Sequence, residues 1–484
     1  MVFNAEKYIK LQSEKILERA KKFKKLYLEF GGKLFDDWHA SRVLPGFAPD
    51  TKIKMLESLR EKCEIIICIS ADDIDSGKLR PDTGLTYENE VIKLVDAFRE
   101  RGLLVNGVVI NKFAGQPSAE GFSRKLQQLG IKTFLFKKIK DYPANVDAIL
   151  GSEGFGSNEF IKTTKPIVIV TAPGALSGKL SVALSQLYNE INNGNKHVGY
   201  AKFETFPVWN LKLWHPLNLA YEASTVNIAD VNMIDSYHWD KYGVMAVNYN
   251  RDIEAFPLLR NIFHRIYKKD IYYSPTDMGV NMVGFCIEDD AVCEKACRQE
   301  VLRRYFQTLC AHKSGKVGDE AVRKIKTLLE QLNLKLNERP VVTAALEMQN
   351  KTGKHCVSIQ LANGVIITAP ANGYTSAASE AVLKTLQKLL NVDSKIKLIP
   401  ENIMYATNDL KYNILGEKKF HLQIGEVLVI LSASAVTNEL SSAAIGQLKA
   451  LEGSEAHSTY MISEEEQKIF RKLKINLTEE PTLG

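Results

Sequence analysis

Lys165–Glu190 reads KPIVIVTAPGALSGKLSVALSQLYNE, and no other stretch limits the fold of this chain as much. Ile167 to Val170 is an unbroken β-branched run, the composition of a strand buried on both faces. A loop holding Pro173, Gly174, Ser177 and Gly178 follows. From Lys179 onward Leu180, Ala183, Leu184 and Leu187 fall at helical spacing. Strand, glycine-bearing loop, lysine and helix is an arrangement that wraps backbone N–H groups around a phosphate. The helix N-terminus adds partial positive charge there and the lysine reaches the outer phosphates.

The match to G-x-x-x-x-G-K-[ST] is partial. Gly178-Lys179 fits, Pro173 takes the first glycine position with Gly174 one place late, and Leu180 stands where a Mg²⁺-binding hydroxyl belongs. Ser181 or Ser177 would have to substitute for it. Two readings stay open, a variant phosphate loop and an ordinary strand-to-helix turn.

The upstream sequence alternates. Glu64–Ser70 (EIIICIS) reads as a buried strand that ends in Ala71-Asp72-Asp73. Acids just past the carboxyl end of a parallel strand stand where open α/β sheets bind ligands, so Asp72 and Asp73 are candidate Mg²⁺ and catalytic residues. The loop after them carries Lys78, Arg80, Asp82 and Gly84, a candidate anion contact. Helices are expected over Glu88–Arg101 and Ser118–Leu129, and strands over Leu103–Ile110, Lys132–Phe136 and Gly199–Phe203. Such alternation predicts α/β architecture with a doubly wound, mostly parallel sheet. A smaller C-terminal α/β domain follows, with strands near Val357–Gln360, Val365–Thr368 and Glu426–Leu431. The expected division is 1–155, 156–336 and 337–484, the first two able to share one sheet.

At 484 residues, with 45% hydrophobic and 25% charged residues, the chain is ordinary globular material for two or three domains. A net charge of +6 spread along the chain mildly favours anionic ligands and does not argue for nucleic acid. Glu6–Phe30 reads as one amphipathic helix, with Tyr8, Ile16, Phe23, Tyr27 and Phe30 on its stripe, and not as a targeting signal. Apolar runs are strand-sized, too short for a bilayer. Seven cysteines, odd in number and several inside apolar runs, fit a reducing cytoplasm.

Other polar groups compete for attention. Asp36, His39 and Arg42 around Trp38 are a solvated loop or the lining of a site, and Gly154-Phe155-Gly156 is a phosphate contact or a flexible connection. Lys202–Asn250 interleaves Lys202, Glu204, Trp209, His215, Asn218, Tyr221, Glu222, Asp230 and His238, more polar groups than a core needs. It is the expected substrate-facing segment, with an interface or a solvated loop as the competing reading. Cys286, Cys293 and Cys297 match no paired zinc spacing and read as structural thiols. VIVTAP at Val168–Pro173 returns as VIITAP at Val365–Pro370, each before a small-residue loop and a helix, but only the first copy has Gly-Lys.

Several blocks carry a resemblance: KYIKLQSEKILERAKKFKKLYLEFGGKLFDDWHASRVLPGF, KFETFPVWNLKLWHP, AYEAST, DVNMID, VNYNRDIEAFP, SPTDMGVNM and EAHST. They resemble a mostly bacterial, uncharacterised family catalogued as domain of unknown function eighteen forty-six, over nearly the whole chain. The resemblance implies a cytosolic α/β protein with a TAPG-x-x-SGK loop, matched by Thr171, Ala172, Pro173, Gly174, Ser177, Gly178 and Lys179. Some members are labelled ATP-dependent peptidases. The chain has neither a His-Glu-x-x-His zinc motif nor a Gly-x-Ser-x-Gly elbow to support that half of the label.

The expectation is a cytoplasmic enzyme that binds ATP or another phosphorylated ligand with Mg²⁺ and transfers a phosphoryl group, or ligates, on a small-molecule substrate. Thr171, Gly174, Ser177, Gly178, Lys179 and Ser181 form the candidate phosphate set, with Asp72 and Asp73 for the metal. A non-hydrolysing sensor or assembly protein using the same loop is the alternative. A third reading places acid–base chemistry on His215, Glu222 and His238, with a non-phosphorylated substrate. No nucleic acid or membrane partner is expected, and self-association as a homo-oligomer stays open.

Overall fold

The computed structural model describes every residue except Met1, Pro81, Asp82, Ala229, Lys418, Lys419, Phe420 and Gly484. Asp82, named above as an anion contact, therefore lies outside the described residues. The chain divides into two compact units, Met1–Glu222 with Asp230–Cys297, and Ala223–Ala229 with Arg298–Gly484.

The first unit is built on strands β1 (Lys25–Phe30), β2 (Cys63–Ser70), β3 (Leu104–Phe113), β4 (Thr133–Lys137), β5 (Ile167–Thr171) and β6 (Val198–Phe203). Strands β7 (Asn232–Ile234) and β8 (Val247–Tyr249) pair separately, and β9 (Gly279–Val280) returns to the main sheet. The order across that sheet is β4-β3-β2-β5-β1-β6-β9, and every neighbouring pair is parallel. Every residue of β2 and β5 is buried, so the centre of the sheet is covered on both faces, as their apolar runs Ile65–Ile69 and Ile167–Val170 demand.

One face packs beneath the helix Lys179–Asn192. Tyr27, Val168, Val170 and Tyr200 from the strands meet Val182, Leu184 and Leu187 from that helix. Phe256 and Phe263 join them from the helix Asn250–Tyr267. Truncating a fully buried Leu187 to alanine would cost about 2–5 kcal/mol.

Two sequence expectations are corrected here. The helix read over Glu6–Phe30 stops at Phe23, where Lys24 takes a positive φ of 63°, and Tyr27 and Phe30 belong to β1. Apolar residues at Leu26, Leu28 and Phe30 fit a buried strand as well as a helical stripe, and pairing with β5 and β6 decides between them. The strand read at Glu426–Leu431 is helical, within Ile424–Ser434. A capping box, in which Gln423 and Glu426 each accept the other's backbone N–H, starts a helix there despite the β-branched run.

The second unit carries β10 (Cys356–Gln360), β11 (Ile366–Pro370), β12 (Glu455–Ser458) and β13 (Asn476–Glu479) in the order β11-β10-β12-β13. Its sheet is mixed: β10 runs antiparallel to both neighbours, while β12 and β13 are parallel. Among the described residues no helix is long and apolar enough to cross a membrane.

Candidate functional site

From β2 the chain continues to β3 on one side, and from β5 it crosses β1 to reach β6 on the other. Neighbours β2 and β5 are therefore a place where connections diverge, and outside the carboxyl ends of such strands is where open α/β sheets bind ligands. Both sequence-predicted loops meet there. After β5, Gly178 takes a left-handed φ of 85° and is the N-cap of the helix Lys179–Asn192, and among the described residues no N-cap side chain takes the first amides of that helix. Added to Gly178, a Cβ would lie 1.9 Å from Asn111 Nδ2 at the end of β3, so only glycine fits. Gly174 has the same constraint against Tyr87, whose hydroxyl would be 2.2 Å away.

The candidate phosphate residues separate by depth. Thr171 and Ser177 are buried, and the Ser177 hydroxyl donates to the Gly174 carbonyl (3.1 Å), bracing the loop from within. Gly174, Gly178, Lys179 and Ser181 are partly open. Lys112 Nζ reaches the Leu176 carbonyl at 3.5 Å and adds a second cation beside the loop.

Asp72 and Asp73 open a five-residue helix directly after β2. Asp72 is exposed and accepts from Gln116 Nε2 (3.2 Å). Asp73 pairs through Oδ1 with Lys78 (2.9 Å), while its buried Oδ2 receives no hydrogen bond among the described residues.

Two strands further on lies a group that residue spacing alone does not reveal. Glu29 in β1 stands opposite Val170 of β5 on one side and Lys202 of β6 on the other. Lys202 Nζ donates to Asp252 Oδ2 (2.5 Å) and sits 2.7 Å from Glu204 Oε1. Tyr200 donates its hydroxyl proton to Glu29 Oε2 (2.7 Å). Asp252 enters from the first turn of the helix Asn250–Tyr267. Burial pushes the Glu204 carboxyl up to about 7, with Asp252 and Glu29 pushing the same way and Lys202 opposing them. Lys202 is held well above its usual range because its carboxylate neighbours outweigh desolvation.

Tyr142 connects the two halves. It sits in the segment between β4 and the helix Val146–Leu150, where burial and then the Glu29 carboxylate raise its phenol and Ser181 lowers it. Cys68 of β2 likewise feels both Lys179 and Glu29. Around Glu204, Tyr221 stacks on Phe206 and packs against Tyr249, and His39 meets Phe206 and Tyr221 edge-on. His39 thus packs into the aromatic group beside Glu204. In the same loop Asp37 caps a short helix and pairs with Lys52; burial raises its carboxyl, but Lys52 and the Ala40 amide outweigh that and hold it low.

His215, Glu222 and His238 serve separate networks. His215 Nδ1 accepts the Leu217 N–H (3.1 Å), which places the ring proton on Nε2, facing Asp290 at 3.1 Å. Asp290 and Glu294 complete a cluster of metal-ligand type around His215. That tautomer opposes a metal there, because Nε2 would have to give up its proton while Nδ1 faces a donor. Glu222 accepts the N–H and the Nδ2 amide of Asn232 and anchors β7. His238 pairs with Ser274 (2.9 Å). Cys293 and Cys297 are buried and donate to the Val43 carbonyl, as structural thiols do. Gly154 and Gly156 pack on backbone of their own loop, with carbonyls of Ala148 and Gly151 where a Cβ would go.

At the opposite, amino edge of the sheet, Arg99, Lys132, Lys162 and Glu64 line a cavity of about 340 Å³. Glu64 is occupied there by the amides of Thr164 and Lys165. That edge holds strands together and presents no reactive group.

Comparison with known proteins divides the chain further along than the two compact units do. The profile described as domain of unknown function DUF1846, N-terminal, matches residues 1–333, and its C-terminal counterpart matches 337–484. A UPF0371 protein of Clostridium tetani (strain Massachusetts / E88) is 48% identical over 488 residues, covering 99% of this chain and 97% of the relative. One from Clostridium botulinum (strain Langeland / NCTC 10281 / Type F) is 47% identical over the same shares. One from Streptococcus pneumoniae serotype 19F (strain G54) is 45% identical over 480 residues, with coverage of 99% and 97%. With both halves matched and relatives this similar along the full length, the chain belongs to the DUF1846 family.

Proposed function

We propose that the first unit is an enzyme that binds a phosphorylated ligand of the ATP class, with Mg²⁺, in the crevice at the carboxyl ends of β2, β5, β1 and β6. One observation carries this reading: the helix Lys179–Asn192 begins at the divergence point with no side-chain cap and with a lysine as its first residue. Uncapped N-terminal amides and the helix dipole favour a bound anion, and Lys179 adds a full charge. Lys112 supports the same sign. The buried, unbonded Oδ2 of Asp73 fits a Mg²⁺ held directly or through water, with Asp72 beside it.

In this reading the nucleotide supplies the transferable phosphoryl group, and the chain's own residues position it and neutralise charge. Lys179 and the amides of Lys179–Ser181 would take the outer phosphates. Acids and phenols around Lys202 would face the small-molecule acceptor. Leu180, in place of a metal-binding hydroxyl, favours a second reading, a sensor that grips the phosphate without turnover.

Melting temperature followed against ATP, GTP and inorganic phosphate, with and without Mg²⁺, tests the proposal, because a ligand bound only to the folded state must raise it. A rise that disappears in Lys179→Ala is the expected result. The absence of a rise with every ligand would reduce the loop to a turn. ADP formation that depends on Mg²⁺ separates the enzyme from the sensor.

A further inference from the structure

Two ionic clusters in this chain look alike and differ in charge balance. In the second unit, Arg303, Arg304 and Arg339 face Glu300 and Glu455, three cations against two anions. Arg339 is fully buried, and its guanidinium is also bonded to Thr478 and to the carbonyls of Ala456 and Asn476. Both of its acids are matched by cations of the same unit.

The cluster of the first unit is not completed. Glu29, Glu204 and Asp252 gather around the single ammonium of Lys202. The side chains of Lys202, Glu204 and Asp252 remain 20–26% exposed, so they face the crevice and not a sealed core. Next to Glu204 the ladder continues through Gly31, whose N–H donates to the Phe203 carbonyl (3.1 Å). A Cβ on Gly31 would lie 3.0 Å from the Phe203 carbonyl oxygen and 3.7 Å from Glu204 Cγ, so β1 runs close beside Glu204 at this point. Strand β1, which carries Glu29, lies between β5, which leads into the Lys179 helix, and β6, which carries Lys202, so the cluster and that helix stand at the same end of neighbouring parallel strands.

We propose that the crevice takes up its phosphorylated ligand together with one proton, and that this proton resides on Glu204. The inference rests on the phosphate reading above and deepens it. Strand β5, which leads into the Lys179 helix, lies two strand spacings, about 10 Å, from β6, so phosphate at that helix adds negative charge at the same end of the sheet as three carboxylates that share one lysine. The cluster relieves the added repulsion by protonating its most desolvated open member. Glu204 is that member: it faces Lys202 on its own strand, Asp252 from the helix Asn250–Tyr267 and Glu29 from β1, with Tyr221 and Tyr249 closing the far side. Burial already holds its carboxyl near neutrality in the free protein. Once protonated, Glu204 stands over Gly31 as the group able to exchange a proton with an acceptor held there.

Calorimetric titration of the full chain with ATP and MgCl₂ at about pH 7.5, in buffers of low and high ionisation enthalpy, counts the protons taken up. The wild type is expected to take up between about 0.3 and 0.75 proton more than Glu204→Gln, since the ligand's own ionisation cancels between the two. Asp252→Asn, which keeps Glu204 and removes a neighbouring charge, is expected to move the midpoint of uptake to lower pH. Equal uptake in wild type and Glu204→Gln, with binding retained, overturns the inference and leaves the phosphate reading standing. No binding of ATP, GTP or phosphate by the wild type removes that reading and the inference with it.

Discussion

VIVTAP at Val168–Pro173 and VIITAP at Val365–Pro370 differ in one residue, and the chain uses them in opposite ways. The first lies in β5, a central parallel strand buried throughout; the second lies in β11, a partly exposed edge strand antiparallel to β10. The loop after β11 closes on itself. Asn372 Oδ1 accepts the N–H groups of Tyr374 and Thr375, while Asn372 Nδ2 and the Thr375 hydroxyl donate to Glu380. Ser376 then caps the helix Ala377–Leu389 by accepting the Ser379 N–H. The loop after β5 braces itself once, through Ser177, and leaves the start of its helix without a side-chain cap. The lesson is that strand and turn composition do not decide whether a loop can receive an anion. What decides is whether nearby side chains have already taken the helix's first amides.

Glycine substitutions should break the comparison most visibly. Gly178→Ala forces a Cβ into a left-handed residue against Asn111 and is expected to cost about 2–4 kcal/mol. Gly373→Ala, in the second loop, meets open space at an ordinary φ and should stay within about 0.5 kcal/mol. Urea midpoints measure both, and equal losses would mean that the two loops carry the same constraint. Ser376→Ala comes next. It removes the cap and a 2.6 Å hydrogen bond to Glu466, for a loss of about 1–2 kcal/mol seen in the same midpoints.

Smaller at any single pH is the effect of the raised carboxyls. Burial lifts Glu204 in the first unit and Glu479 in the second to about 7. The folded state therefore holds protons that the unfolded chain releases near its ordinary carboxylate range. Stability should fall as pH rises from about 4.5 to 7, by less than about 1.4 kcal/mol per pH unit for each group. Glu204→Gln should lose its share of that slope and keep the share due to Glu479, as urea midpoints across that range would report. An unchanged slope would place Glu204 at an ordinary carboxylate value. Lys179→Ala should change stability least, within about 0.5 kcal/mol, while abolishing the ligand-induced rise in melting temperature.

Much of the first unit was legible because its elements are local. The alternation from Glu64 to Phe136 maps onto β2, β3 and β4 with the helices Tyr87–Glu100 and Pro117–Gln128 between them. The strand–loop–helix around Lys179 has the boundaries its spacing predicts. Legibility failed where pairing or capping outvotes pattern, at Tyr27 and Phe30 in β1 and at Val427–Leu431 in a helix. The acid–lysine cluster was only half visible. Lys202 and Glu204 stand out in a polar segment, but Glu29 joins them solely through the register of β1 with β6, and Asp252 through the position of a helix start. An acid inside the otherwise apolar run Leu26–Phe30 was the available signal for Glu29.

Hydrogen exchange read by mass spectrometry tests the central claim most directly, because it reports on the amides themselves. Peptides covering Pro173–Leu184 and Ala371–Lys384 would be compared without ligand and at saturating ATP with Mg²⁺. The account predicts slower exchange in the first peptide, centred on Lys179–Ser181, and no change in the second, whose helix start is already capped by Ser376. Bound ATP that leaves the first peptide unchanged would contradict it.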